Sequence, residues 1–170
     1  MAACQRSELE AYREGQLIYF EDLKVGTKQA FGRYDVTREE VIDFARKYDP
    51  QPFHLDDDAA AQTHFGRLSA SGWHTCAMTM AMLVENFMSQ KSAGLGSPGL
   101  EDLKWKKPVY PGDTLRVESE LIEKRRSKSR PEMGLTRSRC QVFNQNDEMV
   151  LEMTNIGLMQ VREPNAPLSD

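Results

Sequence analysis

Five stretches of the chain have the mixed apolar and polar pattern of β-strands. Residues 114–122 are the clearest case, because the apolar Leu115 and Val117 alternate with the charged Arg116 and Glu118. An alternation with a period of two is typical of a strand with one buried and one exposed face. The predicted strands are residues 28–36, 100–105, 114–122, 135–144 and 149–161.

Three helices are predicted between the first and second of these strands. Thr37 and Glu40 have the spacing of a capping box, and the apolar residues that follow recur at helical spacing until Pro50 ends the helix. A second, short helix is predicted over residues 56–62. The third, residues 72–88, is apolar on nearly every face, which is typical of a helix buried in the core.

Long strands that follow helices and are joined by short turns predict an α+β protein with an antiparallel sheet. The Gly- and Ser-rich residues 91–99 are predicted to form a mobile loop, and the basic residues 124–132 an exposed hairpin. The predicted organisation is a flexible polar arm at residues 1–16, a single domain at residues 17–163, and a tail at residues 164–170.

The composition narrows the class of protein. The chain has 170 residues, which suits one domain, and its net charge of −4 disfavours a nucleic-acid partner held by bulk charge. Its three cysteines, Cys4, Cys76 and Cys140, have neither disulfide nor metal-site spacing, which favours a reducing compartment. The longest apolar run, residues 77–84, is far shorter than a membrane span. We therefore expect a cytoplasmic protein with no membrane or nucleic-acid partner.

The strongest chemical signal is the segment Tyr48–His54, with the sequence Tyr-Asp-Pro-Gln-Pro-Phe-His. Its two prolines exclude an α-helix and favour extended geometry at Asp49 and Gln51, so the segment is predicted to be a stiff elbow. Two groups that act on one water molecule need such a fixed separation, and Asp49 and His54 are the candidates. The simpler alternative is that Asp49 caps a turn and His54 is an ordinary, partly buried histidine.

The residues after this elbow extend the pattern. Phe65-Gly66 follows, and then Ser71-Gly72 opens the long apolar helix. The sequence resembles the MaoC-like dehydratases, which include the R-specific enoyl-CoA hydratases. The resemblance lies in the motif Asp-x-Gln-Pro-x-His followed by Phe-Gly and Ser-Gly. The resemblance covers residues 19–162 and includes two weaker pieces, residues 20–26 and 108–113. The commonest form of the family motif has Asn where this chain has Gln51, so a polar side chain that helps orient the pair is one methylene longer here.

The resemblance implies a hotdog fold, in which a curved antiparallel sheet wraps around the helix at residues 72–88. It implies that Asp49 and His54 are the catalytic pair. It also implies a homodimer, which would close the open edge of a lone sheet. We expect two continuous sheets with two pockets at the interface.

Adding water to an enoyl thioester requires a base for the water, an acid for the α-carbon and a donor for the thioester oxygen. Asp49 would be the principal base, and His54 would hold the same water and help to pass the proton to the α-carbon. The amide of Gly72 is the candidate donor, because an N–H at a helix start is unpaired within the helix. Glycine there would also let the thioester approach closely. The alternative is a simple helix-start glycine.

Each remaining candidate for substrate binding also has a purely structural explanation. An acyl pocket is assigned to Phe65, Trp73, Met80 and Val84, although methionines on this helix also suit an adaptable core. Contacts with the phosphates of coenzyme A are assigned to Lys104, Lys106 and Lys107, although a run of charges is usually a solvated surface. The acidic run at residues 56–58 is interpreted as a helix cap, not a metal site.

Three functions are open at this stage. The first is a hydro-lyase that adds water to a 2-enoyl-CoA to give the (R)-3-hydroxyacyl-CoA. The others are a hotdog acyl-CoA thioesterase and a non-catalytic acyl-binding or assembly subunit. The intact Asp49 and His54 pair favours the first. We expect no metal and no cofactor, since coenzyme A enters as part of the substrate.

Overall fold

A computed structural model of the chain describes residues 17–166. Its strands are β1 (Lys28–Asp35), β2 (Gly94–Trp105), β3 (Thr114–Arg126), β4 (Met133–Phe143) and β5 (Met149–Gln160). Its α-helices are α1 (Arg38–Tyr48), α2 (Asp57–Ala61) and α3 (Gly72–Ser89). Two single 3-10 turns, Phe20–Asp22 and Pro52–His54, precede β1 and α2.

The five strands form one antiparallel sheet in the order β1-β3-β4-β5-β2. The sheet curves around α3, and the α+β class and the hotdog fold predicted from the sequence are both confirmed. The alternation in β3 has the expected result, because Leu115 and Val117 are fully buried. They join Met78 and Met82 of α3 in the main core cluster.

Only one side of α3 is buried, so the prediction of a helix buried all round is wrong. Met78, Thr79, Met82 and Leu83 lie in the core. The opposite side exposes a row of apolar residues, here called the apolar stripe: Trp73, Met80, Val84, Phe87 and Met88. The curved sheet covers a single face of α3, so the second apolar face is left exposed in one chain. No helix within residues 17–166 is long and apolar enough to cross a membrane.

Strand β2 begins at Gly94, so the predicted loop over residues 91–99 is wrong from that residue onward. The pairing of β2 with β5 shifts its register at three points, and Gly96 has a φ of +111°. Glycine adopts positive φ without strain, so an irregular strand is built here from a sequence with the composition of a loop. Likewise β3 continues to Arg126, so the excursion predicted for residues 124–132 is shorter.

The predicted N-caps of α1 and α2 are confirmed, but the capping box at α1 is only half formed, because the Glu40 carboxylate accepts from the Thr37 hydroxyl at 3.3 Å. Thr37 Oγ1 accepts a hydrogen bond from the backbone N–H of Glu40 at 3.3 Å, at the start of α1. Asp56 Oδ1 accepts one from the backbone N–H of Ala59 at 2.9 Å, at the start of α2. The acidic run therefore caps a helix, and within the described residues no group of three or more His, Cys, Asp or Glu side chains could hold a metal ion.

The predicted N-terminal arm, residues 1–16, lies outside the described residues. The predicted tail is described as far as Ala166. Its backbone is held against β3, because the Arg126 guanidinium donates hydrogen bonds to the carbonyl oxygens of Ala166 at 2.7 Å and Pro164 at 2.5 Å.

Candidate active site

Asp49 lies at the C-terminal end of α1, where its backbone N–H donates to the carbonyl of Ala45 at 2.9 Å. Pro50 ends the helix at this point. Gln51 is extended as predicted, with φ −79° and ψ 139°, whereas Asp49 has φ −150° and ψ 67° and departs from that prediction. Pro52 then begins a single 3-10 turn, which a proline at the first helical position allows.

This turn brings the side chains of Asp49 and His54 together. Asp49 Oδ2 and His54 Nε2 are 3.6 Å apart, and both side chains are largely buried. The other ring nitrogen, Nδ1, lies 2.7 Å from the carbonyl oxygen of Ser69. A carbonyl oxygen only accepts hydrogen bonds, so Nδ1 carries the proton in the neutral ring, and the unprotonated Nε2 faces the carboxylate.

Both oxygens of the Asp49 carboxylate accept hydrogen bonds. The hydroxyl of Ser71 donates to Oδ2 at 2.6 Å, and the side-chain amide of Gln51 donates to Oδ1 at 2.7 Å. Burial alone raises the pKa of Asp49, but these two hydrogen bonds and the nearby His54 outweigh it and hold the pKa below its usual value. Asp49 is therefore an anion at neutral pH.

Ser69 and Ser71 are site residues that the sequence analysis missed. Ser71 is fully buried and is the N-cap of α3, where its hydroxyl oxygen accepts from the N–H of Trp73 at 3.2 Å. A serine before a helix start is a recognisable cap signal. Its second contact, with Asp49, joins residues 22 positions apart, and no local pattern reveals it.

Aromatic rings border His54. The ring of Phe53 lies edge-on to it at 4.6 Å, and the ring of Phe65 lies 5.9 Å away. Phe53 and Phe65 also contact each other, with ring centroids 5.2 Å apart. The structure thus brings Phe65, a candidate for the acyl pocket, next to the Asp49 and His54 pair.

Gly72 is the first residue of α3, beside Ser71. The indole N–H of Trp105 donates to its carbonyl oxygen at 2.9 Å. A Cβ atom at position 72 would lie 2.6 Å from a ring carbon of this indole. Glycine is therefore required here by the close approach of Trp105, whereas the sequence analysis attributed it to an approaching thioester.

The other candidates are dispersed. Trp73, Met80 and Val84 belong to the apolar stripe, with exposed fractions of 59%, 42% and 48%. Trp73 also lies edge-on to Trp105, with ring centroids 5.5 Å apart. The residues assigned to the acyl pocket thus fall into two groups in a single chain, with Phe65 beside His54 and the rest on the exposed face of α3.

Two of the three candidate lysines are paired with carboxylates near or on β5. Lys106 forms an ion pair with Glu152 at 3.2 Å, and Lys107 forms one with Glu148. These exposed pairs reduce the positive charge that phosphate groups would meet. Lys104 lies opposite Glu152 in the pairing of β2 with β5.

A comparison with protein families matches residues 22–141 to the MaoC-like domain. The 3-hydroxybutyryl-CoA dehydratase of Methylorubrum extorquens is 29% identical over 161 residues, which is 92% of this chain and 93% of that protein. A solved structure of a MaoC-like dehydratase from Rhodospirillum rubrum is 38% identical, with a TM-score of 0.76 over 89% of this chain and 99% of that chain. The unliganded R-hydratase PhaJ1 from Pseudomonas aeruginosa is 25% identical, with a TM-score of 0.63 over 91% and 96% of the two chains.

Proposed function

This chain belongs to the MaoC-like domain family, and from that premise we propose that it is a hydro-lyase acting on acyl-CoA thioesters. It adds water reversibly to a 2-enoyl-CoA and gives the (R)-3-hydroxyacyl-CoA. The observation that carries this proposal is the 3.6 Å separation of Asp49 Oδ2 and His54 Nε2, which are both hydrogen-bond acceptors when the ring is neutral and Nδ1–H donates to Ser69. The likeness to a 3-hydroxybutyryl-CoA dehydratase and to an R-hydratase supports the substrate class and the hand of the product.

Two acceptors at this distance suit a single water molecule that donates one hydrogen to each. Asp49 then takes a proton as the water oxygen attacks C3 of the enoyl group, and His54 holds the second hydrogen. The proton taken from water is returned to C2 on the same face of the double bond. One O–H bond of water and the π bond between C2 and C3 are broken, a C–O bond forms at C3 and a C–H bond at C2, and both side chains end in their starting states.

The third requirement, a donor for the thioester oxygen, is assigned to the N–H of Gly72. An N–H at the first position of a helix has no partner within the helix, and the dipole of the 18-residue α3 favours negative charge there. Gly72 directly follows Ser71, which binds Asp49. The proposed donor and the proposed base therefore lie at the same end of α3, as attack on a conjugated thioester requires.

A homodimer is part of this proposal. The apolar stripe on α3 is exposed in a single chain, and β2 is an edge strand of the sheet. A second copy that pairs with this edge and covers the stripe removes both features from water. Trp73, Met80 and Val84 would then enclose the acyl chain at the interface, with Phe65 at the end nearest the reacting carbons.

The proposed reaction uses no metal or separate cofactor, because coenzyme A arrives as part of the substrate. The phosphates are assigned to Lys104, which pairs across the sheet with Glu152 but, unlike Lys106 and Lys107, forms no ion pair with a carboxylate of the described residues. The cysteines support a cytoplasmic location: Cys76 and Cys140 are free thiols.

The proposal is tested by hydration assays on a panel of enoyl-CoAs, from crotonyl-CoA to longer and branched chains, with chiral analysis of the product. Asp49→Asn keeps the shape but removes the base, and His54→Gln keeps a polar group but removes the imidazole. Each is expected to lower turnover by a factor on the order of 10²–10⁴. Since both groups act on one water, the double variant should be little worse than the poorer single one.

Asp43→Asn is the matched control, because Asp43 is an exposed carboxylate on the same helix, α1. It should retain full turnover. Melting temperatures distinguish the alternative in which Asp49 only caps a turn: that role predicts a lower melting temperature and unchanged turnover per folded molecule. Near-normal turnover by either folded site variant contradicts the proposed function.

A further inference from the structure

Trp105 is joined to the candidate base by a continuous chain of hydrogen bonds. Its indole N–H donates to the carbonyl oxygen of Gly72 at 2.9 Å. The N–H on the other side of the same peptide plane, that of Trp73, donates to Ser71 Oγ at 3.2 Å. Ser71 Oγ in turn donates to Asp49 Oδ2 at 2.6 Å. This is the carboxylate oxygen that faces His54 Nε2.

We propose that Trp105 is a positioning residue for Asp49, acting through the first peptide of α3 and the hydroxyl of Ser71. The proposal rests on the proposed function only for its effect on turnover. A peptide group is planar, so a donor that fixes the Gly72 carbonyl also fixes the direction of the Trp73 N–H. The Trp73 N–H donates to the oxygen of the Ser71 hydroxyl. The hydrogen of that hydroxyl is then directed to Asp49.

Trp105 is 47% exposed, but the edge of its ring that carries the N–H lies against the first residue of α3. A Cβ at position 72 would lie 2.6 to 2.9 Å from three atoms of the indole, so glycine is what lets the ring reach the carbonyl. The ring of Trp73 is T-shaped to the same indole, and the Cys76 sulfur lies within hydrogen-bonding reach of it as a second acceptor for its N–H. Trp105 itself is the last residue of β2, where it pairs with Leu151 of β5. The end of an edge strand is thereby tied to the first turn of the helix that holds the candidate site.

A purely structural role and a substrate-binding role for Trp105 each predict a different result. If the indole only stabilises the fold, its replacement lowers the melting temperature and leaves turnover per folded molecule unchanged. If the indole only contacts substrate, its replacement raises KM and leaves kcat unchanged. A positioning role lowers kcat with little change in KM, because the misplaced carboxylate acts only in the transition state.

The decisive variants are Trp105→Phe, which keeps an aromatic ring but removes the N–H, and Ser71→Ala. Trp105→Phe is expected to lower kcat about tenfold, within the range that misplacement of a catalytic group can cost. Because Trp105 acts through Ser71, adding Trp105→Phe to Ser71→Ala should cause almost no further loss. Fully multiplied losses in the double variant would overturn the proposal.

A second measurement does not depend on turnover. Titration of the Asp49 carboxyl by ¹³C NMR in the full-length protein reports the pKa of Asp49, to which the Ser71 hydrogen bond contributes. Trp105→Phe should raise the pKa of Asp49 in the direction of the Ser71→Ala value, since the Ser71 hydrogen bond lowers it. An unchanged titration overturns the relay even if no enoyl-CoA is a substrate. A shifted titration in a protein that hydrates no enoyl-CoA would instead support the relay and contradict the proposed function.

Tyr110→Phe is the matched control for this titration. Its hydroxyl also donates to a backbone carbonyl, that of Phe65, at 3.0 Å. Phe65 lies beside His54, but this bond is not part of the hydrogen-bond chain from Trp105 to Asp49, so its loss should leave the Asp49 titration unchanged. If Trp105→Phe does not fold, Gly72→Ala tests the same contact from the other side, because the added methyl displaces the indole from the carbonyl. Its titration should move in the same direction, and an unmoved titration overturns the relay.

Discussion

The hydroxyl of Ser71 has two hydrogen-bond partners, and these two bonds fix Asp49 relative to the start of α3. This hydroxyl accepts from the first turn of α3 and donates to Asp49 on the far side of the elbow. Asp49 also receives the amide of Gln51, and His54 is oriented by the carbonyl of Ser69. Each candidate catalytic side chain is thus held by neighbours before any substrate arrives, which is the condition for two groups to share one water.

At the scale of the residue, Gln51→Met tests the contribution of the amide. Gln51 lowers the pKa of Asp49, so its loss should raise that pKa. Activity that requires ionised Asp49 is lost as the pH falls through this pKa, so the acid limb of the kcat/KM profile should move to higher pH. Turnover at neutral pH should fall less than in Asp49→Asn.

Gln62→Met is the control for this variant, because Gln62 is an exposed glutamine at the end of α2. It should leave the acid limb in place. An acid limb that stays fixed in Gln51→Met, or moves to lower pH, would contradict the role of the Gln51 amide.

At the scale of the element, the contact between α1 and α3 contains a buried histidine. His74 is 5% exposed, and its ring stacks on that of Phe44, with centroids 4.6 Å apart. Within the described residues, His74 Nδ1 has no hydrogen-bond partner. Burial lowers the pKa of His74, and the nearby carboxylate of Glu40 opposes this shift in part. Protonation of His74 is therefore unfavourable in the folded chain.

This packing predicts how stability depends on pH. The unfolded chain binds the proton first, near the ordinary value of 6.5, so the stability that depends on neutral His74 is present above this pH. It is lost as the pH falls toward the lower pKa of the folded state. His74→Phe should flatten the decrease in unfolding free energy between neutral and acidic pH, measured by urea denaturation. At neutral pH its cost should be small, because an unpaired polar atom is removed.

His64→Gln is the matched control, since His64 is exposed. It should leave the pH dependence of stability unchanged. If both variants reduce the pH dependence of the unfolding free energy equally, the dependence comes from the loss of a histidine charge in general. If His74→Phe does not reduce it, His74 is not its source.

At the scale of the whole molecule, two groups of exposed apolar side chains among residues 17–166 bear on assembly. The apolar stripe and the side chains of Leu95 and Leu100 on β2 all face water. Exposed apolar area of this kind usually marks an interface. Light scattering is therefore expected to give twice the chain mass of 19.4 kDa.

Val84→Glu places a charge in the apolar stripe and should shift the protein toward the monomer with loss of turnover. Val25→Glu is the control: Val25 is 56% exposed but lies in the turn before β1, away from the stripe. This variant should remain a fully active dimer. A protein that stays monomeric and fully active on dilution would contradict the proposed assembly.

Features that depend on neighbouring residues were predictable from the sequence. The caps at Thr37 and Asp56, the alternation in β3 and the end of α1 before Pro50 all follow from side chains a few positions apart. The same holds for the pairing of Asp49 with His54, because a segment of six residues with two prolines has few conformations. These local preferences agree with the fold, so they could be recognised without it.

Contacts between distant parts of the chain were decided only by the tertiary structure. Ser69 meets His54 across 15 positions, Ser71 meets Asp49 across 22, and Trp105 meets Gly72 across 33. The exposed face of α3 was also decided only by the tertiary structure, because a helix that is apolar on nearly every face does not show which side the sheet covers. Local sequence preferences determine the secondary structure of each segment. The contact partner of a side chain depends on which distant segments the tertiary fold places beside it.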